Sequence, residues 1–244
     1  MNKIYSDYDN FAYFYNKYWT VSAPLYLESA LIALLFDKIP ANASILDVCC
    51  GTGNIAGLLQ QRGYDVTGLD GSAAMLHYAS LNAPSSSFIR ADARDFNINK
   101  RFDACICLFD SINHILEQDG LKAVFKNIHA HLKDGGIFIF DVNSETSSEE
   151  AELSDFTSVE DDSVFITKAN YDRQKRIITY NLTAFIKENN SWLREDYQVF
   201  ERYYDTGELL KAVNEAGFIN SSFTDGRVLG IEAFQDRIFW TVWK

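Results

Sequence analysis

The sequence predicts an α/β protein with a doubly wound parallel sheet. From about residue 44 to 143, short apolar runs of strand length alternate with helical patterns. Glycine or aspartate follows several of these runs, where such sheets turn into helices. The chain has 244 residues, 47% apolar and 23% charged, enough for one well-filled core and unlike a disordered chain.

The elements follow in order. Phe11, Phe14, Tyr15 and Tyr18, then Leu27, Leu31, Leu34 and Leu35, recur at helical spacing, so residues 8–37 read as two helices. Pro24 separates them and Pro40 closes the second. Ser44–Cys49 is a strand running into a glycine-rich turn, and Asn54–Arg62 is a helix ended by Gly63. Asp65–Leu69 is the second strand, and Ser72 caps a helix to about Leu81. Ser87–Ala91 and Phe102–Phe109 are strands. Asp119 is expected to cap a helix to Leu132, Lys133–Gly136 to turn, and Ile137–Val142 to form the fifth strand. Residues 143–163 hold eight acidic and no basic residues and read as an exposed, mobile loop. Residues 163–171, 176–187 and 192–203 alternate apolar and polar, as a three-stranded antiparallel insertion would. Glu208–Ala216 is a helix ended by Gly217, followed by strands at Phe218–Thr224 and Ile238–Trp243.

Composition narrows the function. Twenty-two basic against 34 acidic residues give a formal charge of −12, which disfavours nucleic acid and anionic lipid as partners. No apolar run approaches the length that spans a bilayer. Cys49, Cys50, Cys105 and Cys107 lie in apolar runs and make no disulfide framework. The opening MNKIYSDYDN lacks a secretory apolar segment, so a cytoplasmic location is expected. Cys105-x-Cys107 reads as core, and His77, His129 and His131 as helix surface.

Three signals cluster at strand ends. Gly51-x-Gly53-x-x-Ala56 joins a strand to a helix; the first glycine allows a sharp turn, the second lets the backbone approach a ligand, and Ala56 lets the helix pack. Asp70 ends the next strand, 17 residues after Gly53, where a carboxylate can accept ribose hydroxyls. Asp92 ends the third strand, where it can accept from an adenine amine. Gly51-x-Gly53-x-x-Ala56 with Asp70 also satisfies a dinucleotide fingerprint, so a nicotinamide-dependent oxidoreductase is a competing reading. A non-catalytic cofactor-binding protein is another.

The chain resembles class I S-adenosylmethionine-dependent methyltransferases of the small-molecule type, including aminosugar and glycine N-methyltransferases. The resemblance lies in ILDVCCGTGNIA, GLDGSAAML, ADARDF, FDACICLFDSINHI, HLKDGGIFIFDVN and YDTGELLKAVNEAGF, in that order, over about residues 44–143 and 203–244. It implies a Rossmann-like seven-stranded sheet with an antiparallel last strand plus a small antiparallel insertion. The expected division is a helical leader over 1–40, a cofactor domain over 41–143 and 204–244, and a substrate lid over 144–203. The implied cofactor is S-adenosylmethionine. Asp47 would hold its ammonium, with Gly51 and Gly53 lining that pocket; Asp70 would take the ribose, Met75 would pack on adenine, and Asp92 with Ala93 would meet the adenine amine. Leu108 would lie beneath the methyl group, and Tyr15 would reach over from the leader. The implied reaction is in-line methyl transfer to N or O of a small molecule, with His114 or Tyr180 taking a proton. No Asn/Asp-Pro-Pro-aromatic motif follows the fourth strand, as nucleic-acid amino-methyltransferases require, and no acidic metal cluster can be assembled, so no metal is expected.

Overall fold

The computed structural model describes residues 8–18, 23–153, 155–231 and 234–244. Positions 1–7 and 19–22 of the expected leader lie outside the described residues. The order is α1 (Ala12–Tyr18), α2 (Ala23–Leu34), β1 (Ser44–Val48), α3 (Asn54–Gln61), β2 (Asp65–Asp70), α4 (Ala73–Asn82), β3 (Ser87–Arg90), β4 (Phe102–Cys107), α5 (Gln118–His131) and β5 (Leu132–Asn143). Then come α6 (Glu145–Glu152), β6 (Phe156–Val159), β7 (Ser163–Asp172), β8 (Ile177–Glu188), β9 (Ser191–Arg202), α7 (Thr206–Ala216), β10 (Asn220–Asp225) and β11 (Arg237–Trp243).

The main sheet has seven strands in the order β10-β11-β5-β4-β1-β2-β3. β1 to β5 run parallel, and β11 inserts antiparallel between β5 and β10. Strand alternation divides the core. Cys105 and Cys107 of β4 face α5 and α7 with Phe138 and Phe140, whereas Ala104 and Ile106 face α2 and α3 with Ile137 and Ile139. Both faces are therefore covered, which is why β1 is buried along its whole length. The order reverses between β1 and β4, so their carboxyl ends part to open a crevice.

The second sheet is four-stranded, β6-β7-β8-β9, rather than three-stranded. The expected loop over 143–163 instead contains α6, capped by Ser144, and β6. Its acidic residues are partly matched by basic ones: Arg173 pairs with Glu149 and Glu152 across to the β7 end. Composition registered the charge but not these partners from another strand. Phe11 and Phe14 of the leader pack against Phe165, Leu182 and Val199 of this sheet.

Other local expectations are corrected. α5 begins after Glu117, so Asp119 lies inside its first turn without capping it. β5 runs through Lys133–Gly136 with a register shift against β4, and Gly135 takes φ +74° there. His131 is buried, not on the surface: it accepts the Ile98 N–H at Nε2 and its ring packs on Phe96.

Candidate active site

A cavity of about 590 Å³ opens over the carboxyl ends of β1, β2 and β4 and is roofed by the leader and the second sheet. Its size suits a small organic ligand. A lobe of about 40 Å³ beside it is lined by Asp47, Asn54 and Leu108, and shares Tyr15, Gly51 and Phe109 with the main cavity.

The backbone around the crevice is unusual. Cys49, Phe109 and Asp110 take φ of 58°, 64° and 52°, in the left-handed region that side chains disfavour. Asp141 on β5 stabilises the second bend: its two carboxylate oxygens accept the N–H groups of Phe109 at 2.7 Å and Asp110 at 3.0 Å. Asp141 is fully buried and is matched by Arg237 at the start of β11, 2.7 Å away. Arg237 also reaches Asp110 at 2.8 Å, and its guanidinium lies over the rings of Phe109 and Phe234. Burial pulls the Arg237 pKa down, but Asp110 and Asp141 more than offset this and leave it raised.

Most of the residues expected to hold a cofactor line the cavity or its lobe. Asp70 accepts the N–H of Gly51 and of Ser72, both at 2.9 Å, so it shapes the glycine turn while facing the cavity. Burial raises its pKa against those hydrogen bonds. Tyr15 lies over Gly51, 3.7 Å from where a Cβ would stand, and Met75 and Ala93 line the cavity. Asp47 is buried, and its Oδ2 has no hydrogen-bond partner among the described residues. Burial, and then the charge of Asp70, push its pKa up to about 8. A buried carboxylate oxygen at the rim of a lobe is short of a donor, and the ammonium of S-adenosylmethionine would supply one. The residues present therefore fit that cofactor.

Two expected residues are placed differently. Gly53 does not line the cavity. It takes φ +76° before α3, and a Cβ there would stand 2.8 Å from Ala79 of α4, so the glycine serves helix packing. Asp92 turns away onto Arg94, accepting from its side chain at 2.6 and 2.8 Å and its N–H at 2.9 Å, while Ala91, Ala93 and Arg94 line the wall. Burial opposes but does not outweigh these bonds, so the Asp92 pKa is lowered.

The opposite side gathers polar groups from distant elements. His114 follows β4, and its Nδ1 lies 3.0 Å from the Phe200 carbonyl oxygen. A carbonyl only accepts, so Nδ1 carries the proton and Nε2 presents a lone pair, to which the Tyr8 hydroxyl donates at 2.9 Å. Burial lowers the His114 pKa, so the ring is neutral near pH 7. Glu201 of β9 lies 3.8 Å from Nε2, and Asn143 donates to both Glu201 and Asp110 at 2.9 and 2.8 Å. Ligand atoms of Asp110, His114 and Glu201 lie within 4.8 Å of one another, so the fold assembles a cation-competent cluster that the sequence reading did not. Tyr180 of β8 lines the same side, and burial, then Glu201, raise its pKa, which keeps the phenol protonated.

Sequence reasoning missed Asp141, Glu201 and Arg237. One signal was available: Tyr197, Val199 and Glu201 share a face of β9, and Glu201 is the charged residue in that inward series.

Known proteins resemble this chain in sequence and fold. Residues 45–136 match the family described as Methyltransferase domain. YqeM of Bacillus subtilis (strain 168), given the name of a methyltransferase, is 28% identical over 85% of this chain and 86% of its own. The dTDP-3-amino-3,6-dideoxy-alpha-D-glucopyranose N,N-dimethyltransferase of Streptomyces fradiae is 38% identical over 45% of this chain and 43% of its own. An S-adenosylmethionine-dependent methyltransferase from Clostridium acetobutylicum ATCC 824, solved as a crystal structure, aligns with TM-score 0.73 and 25% identity over 97% of this chain and 98% of its own. With the sheet order and the glycine turn, these likenesses make the chain an S-adenosylmethionine-dependent methyltransferase.

Proposed function

We propose that the acceptor is the amine of a small molecule, aminosugars among them, and that the product is the N-methylated amine. The observation that carries this reading is the pair of carboxyl groups, Asp110 and Glu201, set beside His114 at the cavity wall. Such a group accepts from an amine N–H and suits a cationic acceptor better than a neutral alcohol. The named substrate of the Streptomyces fradiae relative is an aminosugar, which points the same way.

When bound, S-adenosylmethionine supplies an already activated methyl carbon, so the protein mainly has to orient the acceptor and keep water out. Asp47, Gly51, Asp70, Met75, Ala93, Leu108 and Tyr15 would hold the cofactor. For Asp92, turning off Arg94 would free its carboxylate for the adenine amine. An ammonium has no lone pair, so it must lose a proton before attack; His114 takes that proton at Nε2 once the Tyr8 hydroxyl gives way there, and the neutral amine then attacks the methyl carbon. Tyr180 acts as a hydrogen-bond donor and wall rather than a base, since its phenol stays protonated. Residues 144–203 serve as the substrate lid and the leader as the cofactor cover. Asp9 supports that cover by accepting from Ser72 Oγ at 2.5 Å and Ala74 N at 3.1 Å at the start of α4, while Lys17 bonds Glu160 at 2.6 Å on the lid.

The test is incubation with S-adenosylmethionine and dTDP-3-amino-3,6-dideoxy-alpha-D-glucopyranose, beside simple amines and matched alcohols, with products read by mass spectrometry. A mass gain on amines is expected. Methylation confined to alcohols would overturn the amine assignment.

A further inference from the structure

Three carboxyl groups, Asp110, Asp141 and Glu201, surround one buried cation, Arg237. The guanidinium is taken up by the two aspartates, at 2.7 and 2.8 Å. Glu201 is 7% exposed and accepts from Asn143, an uncharged donor, with a neutral histidine 3.8 Å away. The groups facing it are Asp110 and His114 after β4, Asn143 on β5, Tyr180 on β8 and Arg237 on β11, with Tyr8 joined through His114 and Asp141 through Arg237. Among the described residues, this set is short of positive charge by one unit or more whenever Glu201 is ionised. Around it the cavity wall is aromatic, with Tyr8, Tyr180 and Phe109.

We propose that Glu201 is the counter-ion for the acceptor's ammonium, and so the residue that selects amine over hydroxyl acceptors; this rests on the amine reading above. A carboxylate backed by aromatic rings suits an alkylammonium, which is weakly hydrated and gains from ring faces. A divalent metal fits less well, because Asp110 is already bonded to Arg237. Burial, and then Asp110, push the Glu201 pKa up to about 8, as expected for a carboxyl group awaiting a cation. Below that pH Glu201 is protonated; above it, Glu201 carries a negative charge that pairs with an ammonium.

The test compares cyclohexylamine and cyclohexanol by calorimetry, in the free protein and with saturating S-adenosylhomocysteine, from pH 6 to 9. The amine stays cationic throughout this range, so its pH dependence reports the protein. Wild type should bind the amine about 10- to 100-fold more tightly than the alcohol at pH 9, as a charge-assisted hydrogen bond implies. The preference should shrink toward pH 6. Glu201→Gln should bind both probes alike at every pH, and Glu201→Asp should keep part of the pH-dependent preference. Retained S-adenosylhomocysteine binding shows that the variants are folded. Equal binding of amine and alcohol by wild type, no binding at tens of millimolar, or an unchanged preference in Glu201→Gln would overturn the proposal. So would Mn²⁺ displacing the amine at micromolar concentration, which would make the cluster a metal site. If wild type methylates amines and Glu201→Gln does so equally well, the counter-ion falls and the amine reading stands. If the binding preference holds but no amine is methylated, the amine reading falls instead.

Discussion

Replacing Arg237 with methionine tests the ion network that shapes the floor of the site. Methionine keeps the apolar length against Phe109 and Phe234 but removes the charge. Asp141 is fully buried, and Asp110 is mostly so, with a 15% exposed side chain. Removing one partner of such a pair leaves an uncompensated buried charge, which costs about 3–5 kcal/mol. For a chain of this size that corresponds to a melting temperature lower by about 6–20 °C. The defect should depend on pH. Burial raises the Asp141 pKa even with Arg237 present, because Arg237 only partly opposes it. Removing the guanidinium raises it further. The folded variant therefore binds the Asp141 proton more tightly than its unfolded chain does. Its relative stability is best when that carboxyl is protonated, and it falls as pH rises from the ordinary carboxylate range through the raised one. The gap to wild type should be widest at neutral pH and narrow toward pH 5. Adding Asp110→Asn should restore part of the loss by removing a charge. Asp141→Asn should not, because Asp141 accepts with both oxygens from Phe109 and Asp110 and an amide nitrogen cannot. Urea titration at several pH values would measure this. A loss below about 1 kcal/mol with no pH dependence would show that solvent reaches the network, contrary to its burial.

Asp70→Ala should weaken S-adenosylhomocysteine binding by about 1–3 kcal/mol in calorimetry, and it should also lower the melting temperature, since Gly51 and Ser72 lose an acceptor. Gly53→Ala should be unstable by thermal melting, because its Cβ would meet Ala79 at 2.8 Å in a left-handed conformation; a normal melt would show that α3 and α4 can separate freely. His114→Ala should lower turnover of an amine acceptor by roughly 10²–10⁴-fold with cofactor affinity unchanged. Because burial lowers the His114 pKa, the histidine limb of the wild-type rate should fall only below the ordinary histidine range; full activity in the variant would reduce His114 to packing.

What the sequence determined by itself was everything written in local pattern. Apolar runs such as SILDVC and IFIFDV specify buried strands, Ser72 caps α4, and Gly217 ends α7 with φ +99°, because each depends on a few neighbouring residues. The grouping of Asp47, Gly51 and Asp70 was legible for the same reason: they sit at or beside strand ends whose positions follow from the strand rhythm. The tertiary structure decided the rest. Gly53 proved to serve α4, a contact 26 residues away in sequence, and Asp92 proved to hold Arg94. The opposite wall of the cavity draws His114 from beyond β4, Asn143 from β5, Glu201 from β9 and Arg237 from β11. No local pattern brings these residues together, because charges separated by up to 127 positions become neighbours only when the strands align in register. Their burial, which displaces the pKa values of Glu201 and Asp141, exists only once the second sheet closes the crevice and removes the water that would otherwise screen them.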